Sequence, residues 1–313
     1  MERMDGRSRR RRLTTLVGVV LALTAAASRA HAQDLEPRAY ANTPIGVNFA
    51  LLGYAYSEGG VTTDPSIPLT NADLHVHQAF VGYARALDLW GLSGKFAAAL
   101  PYAWLSGTAD FMGQPRERDV SGFGDPRLQL SVNLYGAPAL SLKEFESYKQ
   151  DVIVGASLQV AVPVGQYDSD KAVNIGTHRW AVKPEVGVSK AWGPLIVELM
   201  AGVTFYTDND AFLGNHTRAQ DPLYSLQAHV IYSLPFGIWA ALDGTYYAGG
   251  RTTIDGVRSD DRKENTRLGA TVSLPVDRHN SVKIYGSTGA TGRTGTNFNT
   301  VGIVWQFRWG GGL

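Results

Sequence analysis

The chain has 313 residues and 29 Lys and Arg against 28 Asp and Glu, a net charge of only +1, which gives no support to nucleic-acid binding. It has no cysteine, which excludes a disulfide framework, a thiolate metal site and an acylated cysteine anchor. No cofactor-binding motif stands out, and no cofactor is expected.

The N-terminus reads as an export signal. Arg7 and Arg9 to Arg12 form a basic head, Leu13 to Ala27 an apolar run, and Ala30-His31-Ala32 a small-x-small cleavage site. Residues 1–32 are therefore assigned to a cleaved signal peptide and residues 33–313 to one domain. The signal holds 7 basic and 2 acidic residues, leaving 22 against 26, a net charge of −4, in the remainder. No later stretch is apolar over the roughly 18 residues that a membrane helix needs.

Beyond the signal, apolar and polar residues alternate. In Arg127–Leu134, Leu128, Leu130, Val132 and Leu134 are interleaved with Arg127, Gln129, Ser131 and Asn133, giving a strand with one apolar and one polar face. The same pattern predicts twelve strands: 45–56, 74–87, 94–105, 123–135, 151–164, 179–191, 195–207, 223–234, 237–248, 265–275, 281–290 and 298–309. Short connections (88–93, 192–194, 235–236, 276–280) tend to alternate with long polar ones (107–122, 167–178, 208–222), as expected when one end faces the periplasm and the other the outside. The exception is 136–150, which should be a tight turn. Leu140, Leu142, Phe145 and Tyr148 leave two readings for it, a short amphipathic helix at the barrel mouth or a longer strand pair. Trp90, Trp104, Trp180, Trp192, Trp239 and Trp309 fall near predicted strand ends, as in an aromatic girdle. Pro101, Pro163, Pro184 and Pro275 oppose the assignment, because a closed barrel has no free edge for a missing N–H, and they require bulges or strand ends. The predicted fold is all-β: an antiparallel up-and-down transmembrane β-barrel of about 12 strands.

Several segments carry a family resemblance. They include LEPRAYANTPIGVNF (35–49), SGFGDPRLQLSVNLYGAPALSLKEF (121–145), VPVGQYDSDKAVNIGTHRWAVKPEVGVSKAWG (162–193), QDPLYSLQAHVIYS (220–233), GIWAALDGTYYAGGRTT (237–253) and GIVWQFRWGGGL (302–313). In these the chain resembles the MetA-pathway-of-phenol-degradation family of outer-membrane transporters, with one departure, His178, where the family pattern calls for asparagine. The resemblance implies an outer-membrane location and uptake of aromatic or hydrophobic compounds.

If the polar faces point inward, Arg85, Lys95, Asp125, Arg127, Gln129, Asn133, Lys183, Glu185, Glu198, His229, Asp243, Arg267, Lys283 and Arg308 line the lumen. A charge turned to lipid instead costs up to about 2–4 kcal/mol at the bilayer midplane. Two readings stay open: a paired network that closes the barrel, or a polar pore that mildly favours anions. Twelve strands fall between barrels filled by side chains and wide water channels, so a narrow or gated passage is expected. His75 and His77 share a strand face, and Asp168/Asp170 and Asp208/Asp210 form acidic pairs at outer strand ends, where they are weak candidates for a divalent cation that bridges lipopolysaccharide. A hydrolase reading fails on spacing, because Ser225 and His229 are about 13 Å apart along one strand. Expected partners are outer-membrane lipid, lipopolysaccharide, a small-molecule solute, and the barrel-assembly machinery through the aromatic pattern Val301, Ile303, Trp305, Phe307, Trp309.

Overall fold

The computed structural model describes residues 36–60, 69–111, 113–292 and 297–313; the signal expected over 1–32 lies outside the described residues. Seventeen strands form in these regions: β1 Val47–Gly60, β2 Leu69–Leu89, β3 Leu92–Phe111, β4 Gln114–Phe123, β5 Arg127–Tyr135, β6 Val152–Ala161, β7 Ala181–Trp192, β8 Leu195–Tyr206, β9 Asn209–Phe212, β10 His216–Gln220, β11 Leu223–Ser233, β12 Trp239–Gly249, β13 Thr252–Ile254, β14 Val257–Arg258, β15 Lys263–Pro275, β16 Asn280–Gly292 and β17 Asn297–Gly310. Antiparallel pairing runs β2-β1-β17-β16-β15-β12-β11-β8-β7-β6-β5-β3, and β2 also pairs β3, so the sheet closes on itself. The β3 strand meets β5 along Gly94–Ala99 and β4 along Tyr102–Phe111. The β4 and β5 strands thus share one position, and the barrel has twelve.

Alternation decides which way each side chain points. In β11, Tyr224, Leu226, Val230 and Tyr232 are exposed on the outside, whereas Ser225, Gln227 and His229 are buried inside. Leu52, Val81, Leu130, Leu158, Leu199, Leu242, Leu268, Ile284 and Ile303 carry this exposed apolar surface round the ring. A band of that extent far exceeds what a water-soluble surface tolerates, and hydrocarbon is its natural solvent. Among the described residues no helix is long and apolar enough to cross a membrane.

The two ends differ. At one, β2 turns into β3 through Trp90 and Gly91, both at positive φ (57° and 85°), the backbone of a tight primed hairpin turn. The segment 136–150 lies at this end and contains a one-turn helix, α1 (Leu142–Phe145), closed by a capping box between Ser141 and Glu144. At the other end, two stretches read as loops are strands. Residues 107–111 and 114–122 continue the β3–β4 hairpin, and 209–220 with 252–258 form a small separate sheet, β14-β13-β10-β9. Neither has an apolar face, which is why alternation did not reveal them.

The prolines sit where a donor can be spared. Pro101 lies where β3 changes partner from β5 to β4. No register partner in β8 faces Lys183 or Pro184. Pro275 ends β15, and Pro163 follows β6. Two orientation expectations are corrected. Arg85 points outward, opposite Asn48, while Ala84 and Ala86 are buried on the inside; near the short-turn rim its long side chain can reach water. Trp239 leaves the girdle for the interior, on the same face as buried Ala241 and Asp243.

Candidate functional site: the barrel lumen

Residues 36–46, ahead of β1, run inside the barrel at the short-turn end and bond to walls on several sides. The Nζ of Lys283 on β16 donates to both carboxylate oxygens of Glu36, at 2.8 and 3.0 Å. The backbone N–H of Arg38 donates to Glu198 Oε2 at 2.7 Å, and its guanidinium lies 5.7 Å from the ring centroid of Trp239. Lys95 Nζ on β3 donates to Ala39 O at 3.3 Å. The Tyr40 hydroxyl reaches Ser157 Oγ at 3.3 Å and Glu185 Oε1 at 3.5 Å. The ring of Tyr40, 2% exposed, packs with Ala137, Ile153 and Met200, and burial pushes its phenol up to about 12. Inward-facing Gly155 and Gly187 make the room for it, since a Cβ on either would lie 2.2 or 2.4 Å from the ring.

Beyond Tyr40 the wall is polar and largely paired. Lys183 Nζ meets Glu185 Oε2 at 2.9 Å, and Gln227 Nε2 donates to the same oxygen at 2.9 Å. His229 Nδ1 lies 2.6 Å from Asp243 Oδ1, while Asp243 Oδ2 accepts from Thr271 Oγ1 at 3.0 Å. Glu198 Oε1 accepts from Ser189 Oγ at 3.1 Å, and Arg267 Nη2 donates to Ser287 Oγ at 3.0 Å. Removing one member of such a buried pair costs more than the pair's net worth, because the survivor stays desolvated. Around β5 the wall opens. Asn133 is buried, Gln129 is half-exposed and Arg127 is exposed on the same inward face, so part of the interior is wet.

At the long-loop end, residues 162–180 fold inward. Val173 packs against inward-facing Leu74, Leu105 and Phe298, and Arg118 Nε donates to its carbonyl at 3.1 Å. Asp125, in the break between β4 and β5, holds this loop by accepting from Gly165 N (2.9 Å), Thr177 N (2.8 Å) and Thr177 Oγ1 (2.7 Å). Arg179 adds a bond to Gln220 Oε1 at 2.6 Å, with its guanidinium 4.4 Å from the Tyr206 ring centroid.

Of the residues expected to line the lumen, Lys95, Arg127, Gln129, Asn133, Lys183, Glu185, Glu198, His229, Asp243, Arg267 and Lys283 face inward along strands. Arg308 does so at the short-turn rim, where its Nε donates to Arg278 O at 2.8 Å. Asp125 anchors a loop, and Arg85 is outside. Sequence reasoning missed Arg38 and Tyr40, which lie in a segment without periodicity, and Arg179, placed at the start of a predicted strand that begins only at Ala181; the inward glycines 155 and 187 were the available signal. His75 and His77 face outward, bonded through Nδ1 to Tyr56 (2.9 Å) and Tyr54 (2.6 Å). Asp168 closes a turn onto Asp170 N at 3.1 Å, Asp210 lies 3.7 Å from His178, and Asp208 comes just after β8. Among the described residues no group of three or more His, Asp or Glu is placed to hold a metal ion.

Residues 59–307 match the model of the family described as "Putative MetA-pathway of phenol degradation". No curated protein sequence matches the chain. Among solved structures, the COG4313 outer membrane channel from Pseudomonas putida F1 superposes with a TM-score of 0.74 at 22% identity, over 88% of this chain and 100% of that one. The transport unit of the autotransporter AIDA-I from Escherichia coli gives 0.50 at 9% identity, over 88% and 93%. At these identities the likeness is one of fold.

Proposed function

Because the chain belongs to the "Putative MetA-pathway of phenol degradation" family, we propose that it is an outer-membrane channel for passive uptake of small solutes, aromatic or hydrophobic compounds among them. One observation carries this reading. The lumen is filled at the short-turn end by segment 36–46, which belongs to no strand of the wall and is bonded to it largely through side chains, with backbone bonds at Ile45 and Gly46. A barrel needed only as a scaffold has no use for a lumen filled at one end by a non-strand segment above a wet interior. No catalysis is part of the proposal, since Ser225 Oγ donates to Gly202 O at 3.4 Å and His229 is held by Asp243.

The paired wall of β7, β8, β11 and β12 favours the second reading, a closed structural barrel whose loops make surface contacts. Single-channel recording in planar bilayers separates the two. The channel reading expects small, discrete conductance steps that grow when residues 36–45 are deleted. Folded protein that stays silent in both forms would leave the structural barrel.

A further inference from the structure

On the lipid-facing side, an apolar groove of about 600 Å³ crosses the long-loop halves of β6, β7, β8, β11 and β12. Ala156, Ala201 and Ala248 contribute only a methyl each to it, while Tyr224, Leu226 and Tyr246 stand beside them as larger walls. Toward the loop end lies a second recess of about 380 Å³ that shares Tyr224 and Ala248 and is lined by Arg251, Arg258 and Arg262, with Asp221 beside them. An apolar trough on the outward face of the barrel thus adjoins three arginines at its loop end. Tyr224 spans the junction.

We propose that this composite surface binds an outer-leaflet phosphoglycolipid of the lipid A type, with an acyl chain in the groove and a phosphate on the arginines. The inference goes beyond the transport reading and rests only on its outer-membrane location, because in that membrane the leaflet on the loop side is built of such a lipid. Arg258 and Arg262 are not spent on internal structure, while Arg251 is more enclosed, its side chain 32% exposed. Each meets its acid through a single Nη2 atom, Arg251 with Asp260 at 3.3 Å, Arg262 with Glu264 at 3.5 Å and Arg258 with Asp221. The side chains of Arg258 and Arg262 are 60% and 52% exposed, and exposed pairs of this kind contribute little. A phosphate can replace them with the two-pronged contact that a guanidinium favours. Three acids balance the three arginines, so recognition depends on contact geometry and not on a long-range field.

The test is native mass spectrometry of the full mature protein from detergent, with added diphosphoryl lipid A, dephosphorylated lipid A or phosphatidylglycerol. Diphosphoryl lipid A should be retained in preference to the other two. Replacing all three arginines (Arg251→Gln, Arg258→Gln, Arg262→Gln) should weaken retention roughly tenfold or more. Filling the groove with Ala201→Phe and Ala248→Phe should weaken it with the arginines intact. Both variants change outward-facing or loop residues, and heat-modifiable gel migration verifies that they fold. Equal retention of phosphatidylglycerol or dephosphorylated lipid A would overturn the proposal, as would indifference to either variant. A dimer that buries the groove would also overturn it, by assigning the surface to a second copy. Lipid A retained by a protein that passes no current would sink the channel and leave this site standing.

Discussion

The ring of Tyr40 occupies the space that a side chain on Gly155 would need: a Cβ there would lie 2.2 Å from Tyr40 Cδ1. Two residues distant in the chain are thereby made one closure, with the plug on one and its socket on the other. Gly155→Val should expel the ring and, with it, the segment it seats. The expected outcome is larger conductance steps in planar bilayers with unchanged heat-modifiable migration. Unchanged steps in a folded Gly155→Val protein would show that Tyr40 does not limit the passage.

The bonds that hold the same segment are unequal. Glu198 accepts from the Arg38 N–H and is 1% exposed, whereas the Glu36 side chain paired to Lys283 is 67% exposed. Hydrogen bonds to a charged group contribute about 1.5–3 kcal/mol and exposed ion pairs about 0–1. Glu198→Ala should therefore shift the ratio of closed to open dwell times about tenfold or more, and Lys283→Met no more than about fivefold. Dwell-time analysis of single channels measures both, and a reversed order would refute the ranking.

Asp125 ties the inward loop to the wall through three hydrogen bonds. Asp125→Ala leaves Gly165 N and Thr177 N without that acceptor and should cost about 2–4 kcal/mol of local stability. The expected sign is protease cleavage within 162–180 at concentrations that leave the parent intact. The barrel itself should still migrate as a folded band.

One turn at the short end should respond to acid. Asp277 accepts from His279 N (2.7 Å), then from Asn280 Nδ2 and N, and these donors hold its carboxyl below the ordinary range. A depressed carboxylate stabilises the fold fully above its unfolded value of about 3.9 and loses that contribution as pH falls through the lower folded value. The protection of the His279 and Asn280 amides, meaning their exchange relative to the intrinsic rate at each pH, should fall below about pH 4 in the parent. In Asp277→Asn that protection should be low and independent of pH across the same range.

Much of the barrel was legible because lipid makes alternation obligatory. Leu128, Leu130 and Leu134 must face hydrocarbon, which places Arg127, Gln129, Ser131 and Asn133 inside without any knowledge of neighbouring strands. Legibility failed where that constraint lapses. The β3–β4 extension and the small sheet of β9, β10, β13 and β14 have no face in lipid. Arg85 lies at a rim, where an outward charge costs little, and Trp239 stands inward beneath the Arg38 guanidinium.

From residues alone come the twelve positions of the ring, its closed antiparallel topology and the inward course of most charged side chains, since each follows from a period of two and a hydrocarbon solvent. The filling of the ring was decided only in three dimensions. Residues 36–44 and 165–178 have no period of their own, and their places depend on sockets such as Gly155 and Gly187 and acceptors such as Glu198 and Asp125. Those partners stand on strands far away in the chain, and only closure of the sheet turns them toward a common interior.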